Sequence, residues 1–99
     1  MVEQPKRRPL TGWQEVVVTL LDAYPAEMYQ NQLLRKANLD PQVGIRGIQL
    51  AEQMGLVKVT KVGNMKAIKL TPRGREVAEY VKKIKEIVQV SEFSERGEV

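Results

Sequence analysis

Glutamine and arginine side chains hydrogen-bond to the edges of bases, and this chain spaces four of them along one side of a predicted helix. At about 100° per residue, Gln42, Arg46, Gln49 and Gln53 of the segment 41–54 fall within an arc of roughly 60°. Arg makes two parallel bonds with guanine and Gln makes two with adenine, so the ridge carries the chemistry of direct base readout. A merely solvated helix surface more commonly carries Glu and Lys, which are strong helix formers and very soluble. Here Glu52 alone stands at the edge. On the far side, Val43, Gly47, Leu50, Ala51 and Met54 form the expected buried set. Ile45 flanks the ridge, as a helix-edge core residue or as a contact for a thymine methyl.

A second set of residues is cationic. Between Gln53 and Arg75 stand Lys58, Lys61, Lys66, Lys69, Arg73 and Arg75, with no acid among them. Gly63-Asn64 fits the two-residue turn of a β-hairpin. This turn sets a register with Val57 opposite Leu70, Val59 opposite Ile68 and Val62 opposite Met65. It also puts Lys58 across from Lys69 and Lys61 across from Lys66. Like charges directly across a ladder repel, so the arrangement makes best sense beside phosphate. Its plain alternative is protection of an exposed strand edge by lysine. Asn64 at the tip joins the backbone-contact candidates. Arg73 and Arg75 open a helix, where positive charge is locally unfavourable, and an anion close by would offset that. Lys6-Arg7-Arg8 read equally as a minor-groove arm or as a solubilising tail.

Other chemistries are poorly served. The chain has no cysteine and no histidine, which removes disulfides, zinc fingers, histidine bases and thiol nucleophiles together. No paired carboxylates are suggested, so an enzyme is not expected, and neither a cofactor, a metal nor a small-molecule ligand is indicated. No run approaches the apolar length of a membrane span, and the start lacks a secretory apolar region, so a cytoplasmic setting is expected. The 99 residues and net charge of +4 describe one small, mildly basic domain, and the clustering of that charge points to a polyanion.

The elements that must position these groups follow from local signals. Residues 1–10 read as a flexible basic arm, bracketed by Pro5 and Pro9. Thr11 and Gln14 form a capping box that opens a helix to about Ala23, with Trp13, Val16, Val17, Leu20, Leu21 and Tyr24 at helical spacing. Trp13 belongs to the core on this reading. Pro25 stops the helix. A second helix spans Met28–Ala37, a turn follows at Asn38-Leu39-Asp40, and Asp40-Pro41 start the third as N-cap and N1. Gly55 ends it, the hairpin occupies 57–70, and Thr71-Pro72 open a last helix over 72–89. Its apolar stripe is Val77, Tyr80, Val81, Ile84, Ile87 and Val88, with a and d spacing that suits a partner helix. Helix 1 is expected to contribute to that dimer. Residues 91–99 read as a disordered acidic tail. The fold class is mainly α with a small β-hairpin, in the order α-α-α-β-β-α.

That order, and the phrasing of two stretches, resembles the winged helix-turn-helix regulators of prokaryotes, nearest the small archaeal ones with a MarR-like wing and a C-terminal dimerisation helix. The first stretch is NQLLRKANLDPQVGIRGIQLAEQMGLVKV; the second is MKAIKLTPRGREVAEYVKKI, with a Leu-Thr-x-x-Gly pattern at Leu70-Thr71-Pro72-Arg73-Gly74. The similarity covers about residues 12–88. It implies that helix 41–54 enters a major groove through Gln42, Arg46, Gln49 and Gln53, and that Lys61, Asn64 and Lys66 at the wing tip touch backbone or minor groove. One departure is the start Pro41-Gln42-Val43-Gly44, where many such helices place phosphate-binding Ser or Thr. The implied function is sequence-specific double-stranded DNA binding by a homodimeric transcriptional regulator. The alternatives are a low-specificity architectural DNA-binding protein and a winged-helix module that binds other proteins.

Overall fold

The computed structural model describes residues 10–97, giving only the backbone course for 89–97. The basic triplet Lys6, Arg7 and Arg8 therefore lies outside the described residues. Leu10, expected in the arm, is buried at 4% exposure and belongs to the core.

Helix α1 spans Gly12–Leu21, and its first turn is closed as expected: the Thr11 N–H donates to Gln14 Oε1 at 2.9 Å. Val16, Val17 and Leu20 are fully buried, and α1 forms the hub against which the later helices lie. Met28–Tyr29 do not begin the second helix. They form a short strand, β1, and α2 covers Gln30–Ala37. The reason is tertiary. One edge of a later strand, β3 (Met65–Leu70), would otherwise leave its backbone groups unpaired, and Met28 and Tyr29 fill it opposite Ile68 and Ala67.

The reversal after α2 is made by Asn38 in the left-handed region at φ 56°, a conformation asparagine tolerates better than most residues. Asp40 then caps α3, Pro41–Gln53, accepting from the Gln42 N–H at 3.1 Å. Strands β2 (Val57–Val62) and β3 (Met65–Leu70) pair in the expected register around Gly63-Asn64. The sheet order is β1-β3-β2, all antiparallel. The fold class stands with one strand added.

Helix α4 runs Pro72–Gly97, past residue 89 and through the stretch expected to be a disordered tail. After Gly74 no glycine or proline interrupts the sequence until Gly97, so nothing local ends the helix earlier. The Leu-Thr-x-x-Gly pattern ties three elements together. The Thr71 hydroxyl donates to the Gly55 carbonyl just after α3 at 2.7 Å and accepts from the Gly74 N–H at 2.9 Å. The Thr71 N–H donates to the Leu56 carbonyl at 3.0 Å. One residue thereby fixes the end of α3 and the start of β2 against the N-terminus of α4.

Candidate nucleic-acid interface

The azimuth of α3 is set by its smallest residues. Its buried positions are Gly44, Gly47, Ile48 and Ala51. A Cβ at Gly47 would lie 2.7 Å from the Gly12 carbonyl carbon and 2.9 Å from the Trp13 nitrogen, so α1 and α3 meet backbone to backbone. A Cβ at Gly44 would fall 2.1 Å from Leu34 Cδ2, which explains that glycine: the end of a side chain from α2 lies over it. The expected buried set is corrected accordingly. Val43, Leu50 and Met54 are 48%, 41% and 39% exposed, because close approach at the two glycines turns the helix by roughly 65° from the azimuth that would bury them.

The consequence for the ridge is favourable. Gln42, Arg46, Gln49 and Gln53 are all exposed, and their mean direction lies about 180° from the observed buried side. The helix thus presents its amide and guanidinium groups squarely outward, with Val43, Leu50 and Met54 along one flank and Ile45 along the other.

Beside α3 the wing presents the four lysines. Lys58 and Lys69 pair across the ladder, as do Lys61 and Lys66, and all four are exposed together with Asn64. Among the described residues no ion pair reaches any of these lysines. The two arginines are placed differently. Arg75 pairs with Glu79 at 2.9 Å and lies 5.9 Å from the centre of the Tyr24 ring. Arg73 Nη1 would lie 3.7 Å from a Cβ on Gly55, at the carbonyl-rich end of α3, where positive charge is favoured. The fold thus supplies Arg75 with a carboxylate partner and sets Arg73 beside the C-terminal end of α3.

An open hollow of about 490 Å³ lies between the start of α1 and α3, lined by Trp13, Gln42, Val43, Arg46 and Leu50 among others. Trp13, expected in the core, packs against it while half-buried, and its remaining surface forms one wall of the hollow. No signal short of the helix azimuth would have shown this. Among the described residues no cluster of His, Cys, Asp or Glu could hold a metal ion, and no helix is long and apolar enough to cross a membrane.

The stripe on α4 divides in two. Val81 is buried at 4% exposure and Val77 packs against the core, so both are corrected from partner contacts to intrachain ones. Tyr80, Ile84, Ile87 and Val88 remain 64%, 49%, 59% and 39% exposed. Helix α1, expected to contribute to a dimer, turns much of its apolar side inward and leaves Trp13, Val18 and Leu21 half-buried. Glu15, Val16, Val17, Thr19 and Leu20 are all buried within the protomer, and Lys85 of α4 reaches Glu15 at 3.5 Å.

No family model and no curated protein matches the chain. Solved structures do. The DNA-binding protein Sso10a-2 from Sulfolobus solfataricus superposes with a TM-score of 0.69 at 11% identity, over 85% of this chain and 88% of that one. A MarR-family transcriptional regulator from Rhodococcus sp. RHA1 gives 0.71 at 22% identity, over 85% of this chain but only 61% of its own. F-93 of SSV1 gives 0.68 at 20% identity, over 95% and 97% of the two chains. With these likenesses beside the helix, wing and sheet geometry, the chain has the winged helix-turn-helix fold.

Proposed function

We propose that this protein is a homodimeric transcriptional regulator that binds double-stranded DNA in a sequence-specific manner and performs no catalysis. The observation that carries the reading is the outward-facing ridge of Gln42, Arg46, Gln49 and Gln53 on a capped helix, next to a hairpin whose lysines make no ion pair among the described residues. A major groove about 12 Å wide admits one α-helix. Helix α3 would lie in it while Lys61, Asn64 and Lys66 meet the flanking backbone. Lys58, Lys69 and Arg73 stand farther back as secondary phosphate contacts, and Arg75 is demoted by its pair with Glu79. The DNA-binding neighbours of similar shape support the same reading.

The exposed residues Tyr80, Ile84, Ile87 and Val88 follow one side of a 26-residue helix, a length of about 39 Å. A second copy packed along this side gives a two-fold dimer with two α3 helices. Its half-sites would be spaced about one DNA turn apart, or a multiple of it. The setting is the cytoplasm, on the nucleoid.

Selection of bound sequences from a random duplex pool tests the proposal. The expected result is an enriched inverted repeat with half-site centres separated by about 10 base pairs or a multiple. Uniform retention of all sequences would replace it with an architectural role. Retention of none would leave the ridge to a protein partner.

A further inference from the structure

The outermost rung of the wing is apolar, and nothing in the fold requires it to be. Val62 and Met65 face each other across the Gly63-Asn64 turn and are 44% and 45% exposed. They lie beyond the core. Farther down the hairpin, Ile68 is fully buried and Val59 half-buried, whereas neither Val62 nor Met65 belongs to the buried core. A loop tip in water ordinarily favours polar residues, and a cross-strand pair contributes only about 0.2–1 kcal/mol to a hairpin.

Around this rung the charge has one sign. Side chains alternate between the two faces of a strand. Lys61 and Lys66 therefore stand one residue back on the opposite face, and Lys58 and Lys69 stand four residues back, about 13 Å, on the same face as Val62 and Met65. An apolar point with cations on both sides complements a surface that is anionic at its rims and apolar between them. The minor groove has this character: phosphates wall it, and sugar C–H groups and base edges line it. The groove is about 6 Å wide, too narrow for a two-stranded ribbon, so only side chains at the hairpin tip enter and its backbone stays outside.

We infer that Val62 and Met65 act as a wedge that enters the minor groove of bound DNA, partly unstacks one base step and bends the duplex toward α3. This rests on the DNA-binding reading above. Apolar side chains inserted between base steps bend DNA toward the major groove by about 20–90°, here the groove that α3 would occupy. Pyrimidine–purine steps unstack most readily. The wedge thus adds a sequence preference for such a step at a fixed distance from each half-site, at a position that no hydrogen bond reads.

The test uses the full chain and an end-labelled duplex of about 30 base pairs carrying the selected site. Energy transfer between the ends reports the bend, and titration at several salt concentrations reports affinity and salt slope. The unaltered protein is expected to shorten the end-to-end distance. The double substitution Val62→Ser with Met65→Ser is expected to abolish that shortening and weaken binding by about tenfold, with the salt slope unchanged because no charge is removed. Val62→Ile with Met65→Leu should keep the bend. Binding by the unaltered protein without any bend, or equal bending by the serine variant, overturns the wedge and leaves the DNA-binding reading intact. Failure of the unaltered protein to bind any duplex overturns both. Retention on anionic vesicles that the serine variant loses, with DNA bending unaffected, would assign the rung to a lipid surface and also overturn the wedge.

Discussion

Replacing Lys61 and Lys66 together with alanine removes two charges that no described acid answers. If each sits on a phosphate, each releases condensed counterions, and the slope of log affinity against log salt flattens by about 0.9 per contact, or about 1.8 for the pair. Going from about 50 to about 200 mM salt, a fourfold change, the advantage of the unaltered protein over the variant should shrink by about 12-fold. The loss should be the same on selected and random duplexes, because phosphate contacts carry no sequence information. Folding should be unharmed: the side chains are exposed, and like charges directly across a ladder repel. Arg46→Ala provides the contrast, costing about 1–3 kcal/mol at one base position and relaxing specificity there. The assay is a fluorescence-anisotropy titration of both variants against both duplexes at four salt concentrations. An unchanged salt slope for the lysine variant, or a loss confined to the selected sequence, would refute the reasoning. Aggregation of that variant with an unaltered slope would show that the lysines guard a strand edge.

Gly47→Ala should destabilise the fold by about 1–3 kcal/mol, since its methyl group meets backbone, which gives way poorly. Gly44→Ala should cost less, because it meets the end of the Leu34 side chain and gains helix propensity; thermal melts of the two variants give the comparison. Thr71→Val should lower stability by about 1–2 kcal/mol in a denaturant titration, losing both the bond to Gly55 and the cap on Gly74. Ile84→Lys places a charge in the middle of the exposed side of α4, and sedimentation equilibrium should show a dimer constant weakened at least about tenfold. An unchanged dimer would place the interface elsewhere.

Local signals were legible because local chemistry decides them. The Thr11–Gln14 cap, the Asp40-Pro41 start and the Gly63-Asn64 turn each act within a few residues, and the turn alone fixed every pair from Val57–Leu70 to Val62–Met65. What was hidden depended on neighbours distant in sequence. Two residues, Met28 and Tyr29, have no periodicity to display, and only the free edge of β3 makes them a strand. The α4 stripe looked continuous because wheel geometry cannot say that the protomer's own core takes Val77 and Val81 while leaving Tyr80, Ile84 and Ile87 outside. Leu10 looked like part of a tail for the same reason.

The azimuth of α3 joins fold to function most directly. Burial of large apolar groups would favour turning Val43, Leu50 and Met54 inward, and the helix forgoes this. In that alternative setting the ridge would point roughly 65° away from the outward normal, with part of it against the body of the domain. Backbone contact at Gly47 and the crossing of Leu34 over Gly44 hold it square instead. Each glycine costs about 1 kcal/mol of helix propensity relative to alanine, and the return is orientation rather than stability. A groove reader needs this, since bidentate bonds to base edges tolerate little angular error while phosphate contacts tolerate more. Gly47→Ala should therefore depress binding to the selected sequence more than binding to random duplex, measured below the variant's melting temperature. Equal losses on both would mean that the glycine serves stability alone.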